Sequence, residues 1–282
     1  MLAEFVITFR ETLEAALVVG IVLGVLRRTG DYDARPAVYW AVVAGVGASA
    51  LAAYAFDAFA GGFEGAAEQV FEGVLSLAGA ALLTTMVVWL MGRGNLAAEL
   101  EEKVERQLVK PSRAGLFGLV FASVLREGVE TVVFLGAASA VAGGTSVLGG
   151  LLGVVVAATL GVAIFATTRR VNLKALFRAT GVVLIIFAAG LVAYAVHELQ
   201  EAGVVPTVLH PLWNLNPALD ENGTIGSLLK GLFGYDGDPS LLEVSAWGTY
   251  LVAAGLAWRH SSRARSKVAV AAAAAARTTG DS

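Results

Sequence analysis

The chain has 282 residues and no cysteine, is 57% hydrophobic and 15% charged, and carries a formal net charge of -3. A soluble domain averages about 25% charged residues, so this balance, with apolar runs of about twenty residues, excludes an ordinary soluble globule and points to an all-α polytopic membrane protein. The lack of cysteine excludes disulfides and thiolate metal sites, and nothing in the charge pattern points to nucleic acid.

Seven transmembrane helices are predicted, over 2–26, 37–60, 68–92, 114–141, 146–168, 175–199 and 243–259. No basic segment or small-residue cleavage site accompanies the first apolar run, which reads as a retained helix and not a signal peptide. Between the third and fourth spans, NLAAELEEKVERQLVK (95–110) has an apolar stripe of Leu96, Leu100, Val104 and Leu108. Its Glu99–Lys103 and Glu102–Arg106 pairs fit a short amphipathic helix at the bilayer surface. The 200–243 stretch holds four of the six prolines and reads as an irregular external cap. The seventh span ends in Trp258 and Arg259, an interfacial anchor, and the basic, then alanine-rich tail reads as disordered.

Basic residues orient these spans. Of the 20 Lys and Arg residues, 17 fall in the 27–36, 93–113 and 169–178 connections and the tail. The opposite side carries Lys230 alone, and Arg10 and Arg126 lie within spans. The positive-inside rule therefore places the N-terminus outside and the C-terminus in the cytoplasm of a cell-membrane protein. The outer side is acidic, which concentrates cations there.

Two segments match at an offset of 116 residues: TFRETLEAALVVG in the first helix and VLREGVETVVFLG in the fourth. The second and fifth helices are both rich in small residues; FEG (71–73) and FRATG (177–181) begin the third and sixth. This predicts two inverted three-helix repeats plus one extra helix, an arrangement in which transport sites lie at the repeat interface near the midplane. The divisions are then a first repeat (1–92), a cytoplasmic amphipathic connector (93–113), a second repeat (114–199), an extracellular loop (200–242), the seventh helix (243–259) and a cytoplasmic tail (260–282).

Each matching segment carries R-E-x-x-E: Arg10, Glu11 and Glu14, then Arg126, Glu127 and Glu130. A charge at membrane depth costs about 2.5–3.5 kcal/mol, so six of them unpaired would cost about 15–20 kcal/mol. The i,i+3 spacing puts both glutamates of a motif on one helix face, and the i,i+4 spacing lets each arginine reach the second glutamate. Four carboxylates against two guanidiniums leave a formal charge of -2, suited to a cation. Helices entering from opposite sides stack the acids as a ladder: Glu11, then Glu14 beside Glu130, then Glu127. Oxygen ligands alone select hard cations, among them Fe(III), Mg, Ca and Mn. Glu72, at the start of the third helix, and His197, Glu198 and Glu201, at the end of the sixth, are candidates for an outer gate or capture site. No nucleotide-binding loop is present to power transport.

RETLE (10–14), REGVE (126–130), FEGVLSL with LTTMVVWL (71–90), and HELQEAG (197–203) together resemble the oxidase-coupled high-affinity iron permease family, over residues 1–259. The resemblance implies import of iron, as ferric ion made by a separate oxidase, with Glu11, Glu14, Glu127 and Glu130 carrying the metal and Arg10 and Arg126 supporting them. It implies iron as substrate with no permanently bound cofactor, and an extracellular iron oxidase or iron-binding protein as partner. The apolar spans make the lipid bilayer a partner, and a homo-oligomer is a further expectation. The residues alone leave three rivals: a proton-coupled transporter of another divalent metal such as manganese or lead, an intramembrane di-metal oxidase, and a non-transporting scaffold subunit. Di-iron bundles use E-x-x-H, and the i,i+3 partner here is glutamate both times.

Overall fold

The computed structural model describes residues 1–92, 113–166, 172–221 and 223–279. Among them are eight α-helices: α1 (Leu2–Thr29), α2 (Arg35–Ala60), α3 (Ala66–Gly92), α4 (Arg113–Ala142), α5 (Val147–Ala166), α6 (Leu173–Glu201), α7 (Thr224–Phe233) and α8 (Leu241–Thr279). The amphipathic connector expected at 95–110 lies outside the described residues.

Among the described residues, five helical stretches are long and apolar enough to cross a membrane: Tyr32–Ala60, Ala66–Trp89, Val147–Phe165, Ala175–Glu201 and Leu241–His260. The other two long helices, α1 and α4, have 28 and 30 residues and carry the charged motifs. Their apolar runs are interrupted by those charges and not by any helix breaker.

Helix ends follow local chemistry. Gly30 (φ 76°) closes α1 in the left-handed conformation that glycine adopts without a Cβ clash. Pro36 sits in the first turn of α2, where no intrahelical N–H is required. Asn172 caps α6 by accepting from the Ala175 N–H at 3.0 Å. Ser240 and Glu243 form a reciprocal box at the start of α8: Ser240 Oγ accepts from the Glu243 N–H (3.2 Å), and Glu243 Oε1 accepts from the Ser240 N–H (3.3 Å).

Two findings differ from the expected cap and tail. The 200–243 stretch contains α7, which Gly226 and Gly231 disguise as loop in the sequence. And α8 continues to Thr279, consistent with the high helix propensity of its alanine run.

The bundle interlocks its two halves. α1 packs along α5: Thr8 Oγ1 donates to the Gly150 carbonyl at 2.8 Å, and a Cβ on Gly161 would lie 2.8 Å from Ala16 Cβ. α2 packs along α4 in the same parallel sense, and a Cβ on Gly45 would lie 2.9 Å from Val124 Cβ. α3 packs against α6 in the antiparallel sense, Gly73 facing Ala195 and Gly79 facing Leu191. Each first helix thus rests on the other half's second helix. The contacts correspond in detail. A Cβ on Gly153 would meet Thr8 and the Phe9 nitrogen, and one on Gly45 would meet Val124 and the Leu125 nitrogen. Thr8 and Val124 stand 116 residues apart, as the motifs do.

The principal core joins α1, α3, α4 and α6 through Ile7, Leu83, Phe134, Leu184 and Leu191, all essentially inaccessible. α2 has its apolar side chains outermost. Tyr39 and Trp40 stand exposed near one end, and Tyr54 and Phe59 near the other. That is the pattern of a lipid-facing helix with aromatic residues at both interfaces.

Candidate metal centre

α1 and α4 bring the two motifs together. Glu11, Glu14 and Glu127 each offer a carboxylate oxygen, and these atoms lie within 4.8 Å of one another. Glu130 stands beside them, held by Arg126 at 2.8 Å. On the other helix Arg10 reaches Glu14 at 3.1 Å and Glu11 at 3.8 Å. Both i,i+4 pairs expected from the spacing are therefore present. The ladder takes a more compact form: three acids converge in one group, because long glutamate side chains can bend across the rise of a helical turn.

The two motifs are alike in sequence and unlike in surroundings. Arg10 is completely buried, whereas 57% of the Arg126 side chain is exposed. Glu11 and Glu127 are buried. Both oxygens of Glu11, one of Glu14 (Oε1) and one of Glu127 (Oε2) are inaccessible and accept no hydrogen bond. Arg10 lies within ion-pair distance of this group without aligned hydrogen bonds. Buried charges cost several kcal/mol each unless paired and hydrogen-bonded. An excess of unpartnered carboxylate oxygen at one buried point is what a hard or borderline cation coordinates.

The secondary candidates assemble elsewhere, where α3, α6 and α8 meet. Tyr194 donates its hydroxyl to Glu72 Oε2 at 2.5 Å. His197 lies 3.4 Å from Glu201 through Nε2 and 3.4 Å from Glu243 Oε1 through Nδ1. Gln69 donates to Glu201 at 2.9 Å, tying α3 to α6. Glu198 is buried beside them. Asp236 joins His197 and Glu243 in a second group whose ligand atoms lie within 4.8 Å of one another. Burial, and then the neighbouring Glu243 carboxylate, push Asp236 up to about 6, against the Asp238 N–H that bonds to it.

Tyr194 and Asp236 were not singled out from the sequence as site residues. Tyr194 sits one turn before Glu198, so helical spacing alone could have flagged it. Asp236 lies in the loop before α8, and no spacing rule connects it to His197. Glu243 had a legible signal in the S-x-x-E run that opens α8.

Five apolar helices of membrane-crossing length, packed with two helices that meet at a buried group of carboxylates, mark a polytopic membrane protein. The sequence profile of the iron permease FTR1 family matches residues 1–270, and the chain belongs to that family. It is similar to the ferrous iron permease EfeU of Shigella sonnei, 34% identical over 269 residues that cover 94% of this chain and 97% of the relative. It is also similar to the ferrous iron permease EfeU of Yersinia pestis, 32% identical over 277 residues that cover 97% and 98%. An uncharacterized protein of Archaeoglobus fulgidus is 32% identical over 262 residues, 90% and 92% of the two chains. No solved structure matches the chain.

Proposed function

We infer that this chain is an iron permease that moves iron across the cell membrane through the carboxylates of Glu11, Glu14, Glu127 and Glu130. One observation carries the reading: buried carboxylate oxygens from two helices converge with no hydrogen-bond donors of their own. Arg10 and Arg126 offset part of the negative charge that the four carboxylates can carry, and the remaining charge attracts the cation. Membership of the iron permease family and the names of the relatives supply the metal.

In this reading α1 and α4 also cross the bilayer, giving seven spans with the N-terminus outside. Their charges face each other inside the bundle, where intramembrane charges are tolerated. The α1–α5 and α2–α4 pairings, equivalent under exchange of the two halves, favour two inverted repeats. The carboxylate group then sits where the repeats meet. A bound cation is released when one half rocks against the other, and the membrane potential or an ion gradient drives it inward.

Uptake of radio-iron into proteoliposomes tests this, with wild type, Glu14→Ala and Glu130→Ala compared against manganese and calcium. Unimpaired uptake by both variants rejects the carboxylate route. The resemblance implies ferric ion, whereas the relatives are named for ferrous iron; uptake with ascorbate and under oxidising conditions separates the two. Iron-dependent oxygen consumption by the purified chain would favour the oxidase reading instead.

A further inference from the structure

At the α6–α8 end of the bundle a cavity of about 290 Å³ is lined by His197, Glu198, Asp236, Glu243 and the last residues of α4. We propose that His197, Asp236 and Glu243 form a second, separate binding site, for a divalent transition-metal cation of borderline softness. Three observations converge on it.

The donors are right and close together. One imidazole and two carboxylates place ligand atoms within 4.8 Å of one another. The Ser240 N–H and His197 both hold Glu243 through Oε1, and Asp236 shares a further hydrogen bond with the same carboxylate. The capping box at the start of α8 therefore fixes Glu243 beside the other two donors.

The surrounding field is right. Among the lining residues Lys230 is the one lysine or arginine, and it lies 3.5 Å from Glu221, which offsets it. The C-terminal end of α4, Ala140–Gly143, also lines the cavity, and a helix C-terminus carries partial negative charge that favours a cation.

The donor set differs in kind from the buried centre. The Glu11, Glu14 and Glu127 group offers oxygen alone, which suits calcium and magnesium as well as iron. An imidazole nitrogen favours iron, cobalt, nickel or zinc over calcium and magnesium. A site of this composition discriminates where the all-oxygen centre cannot. Its use as a filter ahead of transport rests on the permease reading above, but its ability to bind metal does not.

The test uses the full-length purified chain in detergent with cobalt(II) as the probe, since ligation by imidazole nitrogen changes its visible absorption. A Glu11→Gln, Glu127→Gln background silences the buried centre. That background is expected to keep one cobalt(II) equivalent, not displaced by millimolar calcium, and to lose about tenfold or more of its affinity on adding His197→Ala or Asp236→Asn. A thermal melt reports folding for each variant, and the asparagine change preserves shape. Cobalt binding unchanged by both substitutions, or absent from the folded background, overturns the site. Normal iron uptake by Glu14→Ala and Glu130→Ala would defeat the permease reading on different variants and leave the binding result standing.

Discussion

Glu14 on α1 and Glu127 on α4 bring carboxylate oxygens within 4.8 Å of each other, joined by Glu11 in one buried group. Like charges this close and this buried repel strongly, and they persist only beside compensating charge. Arg10 and Arg126 supply part of that compensation, and in the proposed reading a passing cation supplies the rest.

Charge at this point is therefore the variable to change first. Glu127→Gln keeps the shape of the side chain and removes one negative charge. We expect iron uptake in proteoliposomes to fall at least about tenfold, because a buried charge-assisted contact contributes about 1.5–3 kcal/mol. Thermal stability should stay level or rise, since the substitution relieves repulsion. Uptake at the wild-type rate would show that Glu127 does not contact the passing ion.

The two arginines should separate in stability. Arg10 is wholly buried, so Arg10→Met strands Glu11 and Glu14 and costs about 3–5 kcal/mol. The Arg126 side chain is 57% exposed, and its pairs resemble surface ion pairs at about 0–1 kcal/mol. Melting curves of Arg10→Met and Arg126→Met measure the difference, and equal losses would contradict the unequal burial.

That exposure has a second readout. If α4 spans the membrane as proposed, the exposed Arg126 guanidinium should face water and not lipid. The chain contains no cysteine, so single cysteines can be introduced without background. Arg126→Cys should react with a membrane-impermeant thiol reagent, and Leu13→Cys, fully buried on α1, should not. An unreactive Arg126→Cys would place that side chain out of reach of water.

The glycine contacts predict a matched pair of lesions. Gly45 and Gly153 each hold a close approach between helices, whereas Gly47 has nothing within 4 Å. Gly45→Val and Gly153→Val should each lower thermal stability by about 1–3 kcal/mol through overpacking, with Gly47→Val near wild type. A large loss at Gly47 would mean that its open face meets another molecule.

Much of this arrangement could be read from residues alone. R-E-x-x-E at equal positions in two apolar runs located the buried centre, since intramembrane charge is costly and i,i+3 and i,i+4 neighbours share a face. The limits of the first six long helices were legible from hydropathy to within a few residues, whereas α8 runs on to Thr279, well past the predicted end at 259. Harder to see was α7, whose amphipathic run Ile225, Leu228, Leu229, Leu232 and Phe233 is short and broken by two glycines. The pairing of α1 with α5 had no local signal either, because small residues announce close packing without naming the partner. Nor could spacing show Asp236 beside His197, since loop closure, not helix period, brings them together.

The crossed packing of α1 on α5 and α2 on α4 has a consequence for biogenesis. When the first three helices leave the ribosome, the surfaces that will cover α1 and α2 have not yet been synthesised. If α1 spans the membrane as proposed, Arg10 and Glu11 must wait without these partners until the later helices emerge. Insertion and assembly are therefore separate events for this chain, and severing it between α3 and α4 should yield fragments that are unstable singly and recover when produced together.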